Sequence, residues 1–489
     1  MSVINGVERY PSLGLKVVVV GAGVGGLMAA LECWRKGCDV IVLERANEIS
    51  VLGNLTSKRP ESHRDDSNFT PGDYFTIPPS GVTTLKYYPT MHADYHKDVY
   101  DCSISIWRPN GTCVKRTFPE WVREGRENTA APDVKISFIK RRPVYTNMLL
   151  DQCVRLGIPV HFGQKADKVT ESDSGVVIET KTGEKYEADV CLSGDGIGSG
   201  FTPDICNAPV LESGYAAARA AFPRDVIKKG SPAEELLKTV DEQPEFRTYL
   251  GDDLHLILFL TKDWSDGNAA ESWHNLRDPE VCIKQLYEKA DNWDPAVIDF
   301  FQQIPEKIVD WGLRWRDPVE QWTSNGGRIA KLGDAAHAFL PTAGNGAVQA
   351  CEDAVTIGEC LRLGGKENAP WATKVYNKLR FQRTSILQQS GFINREELHH
   401  ADLNAIEANP DVKDIGFFKG GKWVWAHNPE TYATEKYDEC LSHLQKGTPF
   451  VNTNLPPGHM YNPWTMASEN ERMAAQLPSN LKTNGYWGV

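Results

Sequence analysis

Apolar positions in this chain follow two rhythms. Val17 to Val20 are four consecutive valines, an unbroken run of the kind buried on both faces of a parallel sheet. Behind them Leu27, Ala30, Leu31 and Trp34 recur at helical spacing. A second run, "CDVIVLER", predicts another strand that ends at Glu44. Far downstream, "EADVCLSGDGIGS" (187–199) and "GGRIAKLGDAAHAFLPTAGNGAVQACEDA" (326–354) each begin as a strand. The second continues through a Gly333-Asp334 turn and a Pro341 loop into a helix starting near Asn345. Between them "SGYAAARAAF" (213–222) and "FRTYLGDDLHLILFL" (246–260) read as strands of a second sheet. Beyond about residue 400 the pattern is less regular and predicts helices and an arm. The fold class is α/β with an α+β second layer.

The 489 residues are too many for one core and predict two or three domains. Lys and Arg number 53 against 65 Asp and Glu, a net charge of −12, so no basic field gathers nucleic acid or anionic lipid. The opening "MSVINGVERYPSLGL" lacks a basic segment followed by an apolar run, and no later stretch is apolar enough to span a bilayer. A soluble, cytoplasmic protein is expected. Eleven cysteines with no CxxC spacing argue against a disulfide framework and against a zinc knuckle, and no metal site is expected. The sequons at Asn54, Asn68 and Asn110 carry no weight in an intracellular protein.

Between the first strand and helix lie Gly21, Gly23 and Gly26. The first permits the tight bend, the second lets backbone approach a pyrophosphate, and the third lets helix and strand pack closely. The helix N-terminus offers unpaired N–H groups and a positive dipole end to phosphates. Glu44, about 20 residues on with Arg45 beside it, stands where an acid grips a ribose 2′-hydroxyl. That acid disfavours a 2′-phosphate, which leaves FAD or NAD as the tightly held ligand.

The two downstream segments decide between them, because an NAD dehydrogenase needs neither. From about residue 15 to about 390 the chain resembles the FAD-dependent aromatic-ring monooxygenases typified by p-hydroxybenzoate and salicylate hydroxylases, with three motifs in the same order. The resemblance implies a Rossmann-like (GR2-type) FAD-binding domain built from 1–75, 125–212 and 320–400. It also implies a β-sheet substrate domain from 76–124 and 213–319, and a helical C-terminal region over 401–489. It gives Asp334 the flavin ribitol, and directs the helix after Pro341, Gly344, Asn345 and Gly346 at the flavin pyrimidine ring. It puts Asp195 in the second glycine turn, Gly72 beside the isoalloxazine, and Arg141, in "FIKRRPVYTNMLLDQC", against FAD; on residue type alone Arg141 and Arg142 are equally surface charges. Asn345 replaces the usual Gln, Thr202 replaces an arginine, and 51–71 is a polar insertion. "LSGDGIGSG" imitates a second dinucleotide turn, but the proline-bearing segment after it has no helical stripe. NAD(P)H is therefore a visiting co-substrate, NADPH the favoured form.

In such an enzyme the cofactor supplies the oxidising chemistry, and the protein excludes water, aims the ring and manages protons. Arg219 is a charge on a strand of Ala and Gly, costly unless paired or used. Asp73 follows Gly72. Their surroundings, "GDYFTIPPSGVTTL" and "SGYAAARAAF", resemble those of fungal monooxygenases that epoxidise the indole C2=C3 bond of prenylated alkaloids and drive a semipinacol shift to a spiro-oxindole. That resemblance makes Arg219 and Asp73 the catalytic pair, with O2 and a bulky aromatic as substrates. The plainer readings are a structural ion pair for Arg219 and a turn cap for Asp73. His337 reads as packing of the flavin loop, Tyr249 and His255 as core. Two alternatives stand: oxygenation of a phenolic or polyketide ring, favoured by a cavity-facing tyrosine or histidine, and a non-catalytic protein that keeps the fold for binding.

Overall fold

The structure, a computed structural model, describes residues 1–47, 74–97, 99–123, 127–137, 139–200, 202, 205, 208–220, 222, 224–238, 243–251, 253–260, 276–305, 308–409 and 420–488. Gly72, Asp73 and the 51–71 insertion lie outside them.

The valine run is the central strand, Lys16–Val20, of a five-stranded sheet. Its order is Ile329–Lys331, Val190–Ser193, Lys16–Val20, Asp39–Leu43 and Val160–His161, and every pairing is parallel. Burial on both faces explains why these strands read as continuous apolar runs. The helices Val24–Arg35 and Gly346–Gly364 cover one face and cross closely at Gly358, where an added Cβ would lie 3.1 Å from the Glu32 Cβ. A three-stranded antiparallel meander, Ala166–Ser172, Gly175–Thr180 and Lys185–Ala188, precedes the strand Val190–Ser193.

The segment 246–260, read as strands, is a hairpin: Glu245–Gly251 pairs antiparallel with Leu254–Leu260. It joins Ser103–Trp107 and Cys113–Thr117 in a four-stranded sheet, with Glu245–Gly251 parallel to Ser103–Trp107. Alternation gives the sheet two faces. Tyr249, Leu258 and Leu260 pack under the helices Pro232–Lys238, Pro279–Lys289 and Pro295–Gln302. On the opposite face Ile104, Ile106, Phe246 and Leu250 belong to the same core as the five-stranded parallel sheet. Register puts His255 opposite Leu250, Ile257 opposite Thr248 and Phe259 opposite Phe246, all on that inner face. A smaller sheet, Leu211–Arg219, Ile308–Trp315 and Leu276–Arg277, includes the predicted 213–222 strand, displaced by two residues at its start.

A 31-residue helix, Ala369–His399, runs beside both halves, and the C-terminal region adds Leu403–Ala408, Lys422–Trp425, Pro429–Lys446 and Met466–Ala474. No helix among the described residues is long and apolar enough to cross a membrane.

Candidate active site

Because neighbouring strands of the main sheet are parallel, the loops that leave their carboxyl ends converge on one edge, where ligands of such sheets sit. Hydrogen bonds carry each ladder into its turn: Gly21 N–H donates to Leu43 O (2.7 Å), Gly194 N–H to Val20 O (2.8 Å) and Leu332 N–H to Ser193 O (3.0 Å). Three motifs separated by more than 300 residues thus share one edge.

Each glycine of the first turn answers a different constraint. Gly21 has φ +101°, and a Cβ there would lie 2.5 Å from Gly194 O. A Cβ on Gly26 would lie 1.9 Å from Gly21 O. At Gly23 a Cβ would meet nothing within 4 Å, and this exposed residue caps the helix Val24–Arg35 without a side-chain cap or an acid in the first turn. Tight packing behind an open, uncapped helix end is the donor set that a pyrophosphate requires, so these residues fit the FAD diphosphate. Glu44 is half-buried and accepts from Ala22 N–H (Oε2, 2.7 Å) and Ala46 N–H (Oε1, 2.9 Å), which fixes its carboxylate beside the turn; Arg45 is exposed.

Asp195 accepts from the Ser193 hydroxyl (2.6 Å). Burial raises its carboxyl above the ordinary value, while the Ser193 and Ser199 hydroxyls pull it back down. Asp334 projects into solvent from the turn Gly333–Ala335. Pro341–Ala343 forms a 3-10 turn, Gly344 has φ +61°, and Asn345 caps the helix Gly346–Gly364 without a side-chain cap, its Nδ2 donating instead to Ala343 O (2.6 Å). This loop is clamped from two sides: the Thr76 hydroxyl donates to Gly344 O (2.7 Å), the Thr342 hydroxyl to Gly391 O (2.7 Å), and Asn394 Nδ2 to Thr342 O (3.1 Å). Arg141 is half-buried opposite Tyr74 in the short ladder of Tyr74–Thr76 with Ile139–Arg141, and it caps the helix Arg142–Arg155; Arg142 is exposed.

Arg219 is half-buried, its guanidinium 5.0 Å from the centre of the Trp311 ring. Trp311 shares its strand face with Leu313 and Trp315, and Trp315 packs on Leu340 and Phe392 beside the Pro341 loop. Arg219, across from Val309, therefore faces the same side as that loop. Tyr249 is fully buried on the outer face, whereas His255 is on the inner one.

A buried charge network escaped the sequence reading. Asp353 accepts from Gly333 N–H (2.9 Å), His337 Nε2 (2.5 Å) and Arg380 Nε (2.8 Å), and Glu352 pairs with Arg380 (2.6 Å) and Arg383 (2.8 Å). All four ionic side chains are at most 1% exposed. Burial opposes ionisation of Glu352 and Asp353, yet the guanidiniums, and for Asp353 also His337, hold both below the usual carboxylate range. His337 is thus part of the turn's support. The sequence signal was "CEDA", two acids inside an apolar helix.

Residues 19–115 match the family described as NAD(P)-binding Rossmann-like domain. Across 98% of this chain and 91% of its own length, an FAD-dependent monooxygenase, fsr3, of Gibberella fujikuroi is 37% identical. Notoamide E oxidase of Aspergillus versicolor is 27% identical over 90% of this chain and 93% of its own. The crystal structure of FqzB superposes with a TM-score of 0.75 at 25% identity, covering 92% of this chain and 98% of that one. With FAD as cofactor and a reduced nicotinamide nucleotide as electron donor, this chain belongs to the family of FAD-dependent monooxygenases.

Proposed function

We propose that this enzyme inserts one oxygen atom of O2 into a bulky, electron-rich phenolic ring of the polyketide kind, in fungal secondary metabolism. The observation that carries this reading is the inner face of the four-stranded sheet. Ile104, Ile106, Phe246, Leu250, Ile257 and Phe259 make it largely apolar, and among the described residues of its strands His255, at the hairpin end, and Lys115, opposite Ile106, are the titratable groups that register puts on it. Ile257 remains 37% exposed there, and Tyr74 meets Phe259 edge-on at 4.8 Å, so aromatic surface lines the approach. A flat ring is held by such a wall, and a phenol brings the one hydroxyl that the histidine can address.

When bound, FAD takes electrons from the nicotinamide and activates O2. The chain's own residues bind and aim. The turn Gly21, Gly23 and Gly26 receives the diphosphate, Glu44 a ribose hydroxyl and Asp334 the ribitol; Arg45, Arg141 and Asp195 line the cofactor, a role that for Gly72 rests on the sequence resemblance alone. The segment Pro341, Gly344, Asn345 and Gly346 directs a helix N-terminus at the pyrimidine ring, which favours negative charge there. Arg219, held over Trp311, donates to the oxygen of a phenolate. Asp73 is assigned to the substrate side with it. Segments 1–75, 125–212 and 320–400 form the cofactor domain, 76–124 and 213–319 the substrate domain, and 401–489 the covering region; the strand pairings support this division.

A second reading, epoxidation of an indole C2=C3 bond with semipinacol rearrangement to a spiro-oxindole, is favoured by the likeness to notoamide E oxidase. There Arg219 donates to the epoxide oxygen as the ring opens.

The test is the anaerobic rate of FAD reduction by NADPH in the presence of 2-naphthol or of a tricyclic prenylated indole alkaloid. Acceleration by 2-naphthol is expected. Acceleration by the alkaloid alone overturns the phenolic reading in favour of the second.

A further inference from the structure

From Leu340 to Asn345 every backbone carbonyl is engaged inside the protein. Ala343 N–H donates to Leu340 O (3.0 Å), Gly344 N–H to Pro341 O (2.9 Å) and Gln349 N–H to Asn345 O (2.9 Å). Asn394 Nδ2 holds Thr342 O (3.1 Å), and Asn345 Nδ2 holds Ala343 O (2.6 Å). The remaining carbonyl, that of Gly344, takes the Thr76 hydroxyl at 2.7 Å, from 268 positions earlier in the chain. The N–H groups of Asn345, Gly346, Ala347 and Val348, by contrast, have no acceptor among the described residues. To a ligand the loop therefore offers donors only.

One of these donors depends on a distant side chain. A trans peptide points its C=O and its N–H in opposite directions, so the bond that fixes Gly344 O also fixes Asn345 N–H. The local chain does not fix it. Gly344 has φ +61° and no Cβ, and Asn345, at φ −125°, is of a residue type that enters the left-handed region readily. Turning the Gly344–Asn345 peptide over by about 180° changes only the ψ of the first residue and the φ of the second, and both residue types allow it. Thr76 is itself held by backbone pairing: it ends the strand Tyr74–Thr76, opposite Ile139 in the ladder with Ile139–Arg141. Its hydroxyl thus ties a paired strand to the one peptide of the loop that is free to turn.

We infer that Thr76 is a positioning residue for the flavin: by holding Gly344 O it keeps the Asn345 N–H turned to the cofactor and favours the reduced form of bound FAD. The inference rests on the assignment of this loop to the pyrimidine ring. Reduction leaves negative charge on that ring, and an N–H donor stabilises it more than it stabilises the neutral oxidised ring. Without the hydroxyl the same peptide can present its carbonyl, an acceptor that repels the charge. Thr76 acts through the peptide and not on the ring.

The experiment uses the FAD-loaded enzyme. It reads the midpoint potential of FAD by anaerobic titration against a reference dye, and the affinity for oxidised FAD separately by flavin fluorescence. Thr76→Val, which keeps the shape and loses the donor, should bind reduced FAD about tenfold less tightly relative to oxidised FAD, about 30 mV toward more negative potential for a two-electron couple. Its affinity for oxidised FAD should stay within about threefold of the parent. Thr76→Ala should shift the potential the same way and serves if valine disturbs the strand. Thr76→Ser keeps the hydroxyl and should restore the parent potential. Asn345→Asp places a carboxylate in the loop and should lower the potential whatever Thr76 does. If the valine and alanine variants keep the parent potential, or weaken both forms of FAD alike, while Asn345→Asp lowers it, Thr76 is structural only: the inference is overturned and the loop assignment stands. If Asn345→Asp also leaves the potential unmoved, the assignment of the loop to the flavin falls and the inference falls with it.

Discussion

Asp353 offers a test of how the cofactor edge is held. Its carboxylate receives the Gly333 N–H, the His337 ring and the Arg380 guanidinium, all inside the protein. In Asp353→Ala, Gly333 N–H and His337 lose their acceptor and Arg380 keeps only Glu352 and Gln349. Removing one partner of a buried pair costs about 3–5 kcal/mol, because the remaining charge stays desolvated. At roughly 2 °C per kcal/mol for a large domain, the melting temperature should fall by about 6–10 °C. The damage is also local: Gly333 precedes Asp334, so freeing its N–H loosens the turn assigned to the ribitol, and FAD affinity should drop at least about tenfold. Asp353→Asn retains one acceptor oxygen but turns an amide N–H toward one of three donors, so it should fall between parent and alanine variant. The assay is thermal unfolding by intrinsic fluorescence together with FAD titration of the stripped protein. An alanine variant that melts within about 2 °C of the parent and binds FAD equally well would refute the assigned role of the network.

Three further outcomes are expected. Gly26→Ala puts a methyl 1.9 Å from Gly21 O, so strand end and helix must part by about 1 Å; the purified protein should have lost its flavin absorbance, and a fully yellow variant would contradict the packing. Arg219→Ala removes a ring stacking worth about 0.5–1 kcal/mol, too little to unfold the chain, and should keep FAD while product formation falls about a hundredfold or more; normal turnover would remove Arg219 from the catalytic set. Protonating His255 is harder in the folded than in the unfolded chain, which binds its proton near pH 6.5. Stability is therefore complete above about pH 6.5 and declines as pH falls toward about 4, by up to roughly 3 kcal/mol, and His255→Gln should flatten that part of a chemical-denaturation profile; an unchanged slope would show that His255 is not held neutral.

Much of the cofactor half was legible because its determinants are local. Val17–Val20 demand burial on both faces, Gly21 and Gly26 tolerate no Cβ, and Gly333-Asp334 and Pro341–Gly346 mark turns by residue type alone. Apolar pattern and glycine spacing were enough for the fold class and a dinucleotide, and the resemblance of three motifs in chain order pointed to FAD and to a flavoprotein monooxygenase family. The substrate side was less legible for a physical reason. Alternation in "FRTYLGDDLHLILFL" shows that the strand has two faces but not which one meets the cofactor half; only the parallel pairing with Ser103–Trp107 and the helices over Tyr249 decided that His255 faces inward. Arg219, read as a charge needing a partner or a use, has Trp311 beneath it, a residue almost a hundred positions away. The contacts of Asp353 with Arg380, and of His399 with His255 and Asp253, likewise join segments that no periodicity connects. Sequence by itself determined the elements and the cofactor they hold, since helix, strand and turn preferences act over a few residues. Tertiary structure decided which polar groups share a desolvated space, because that depends on how distant faces are brought together.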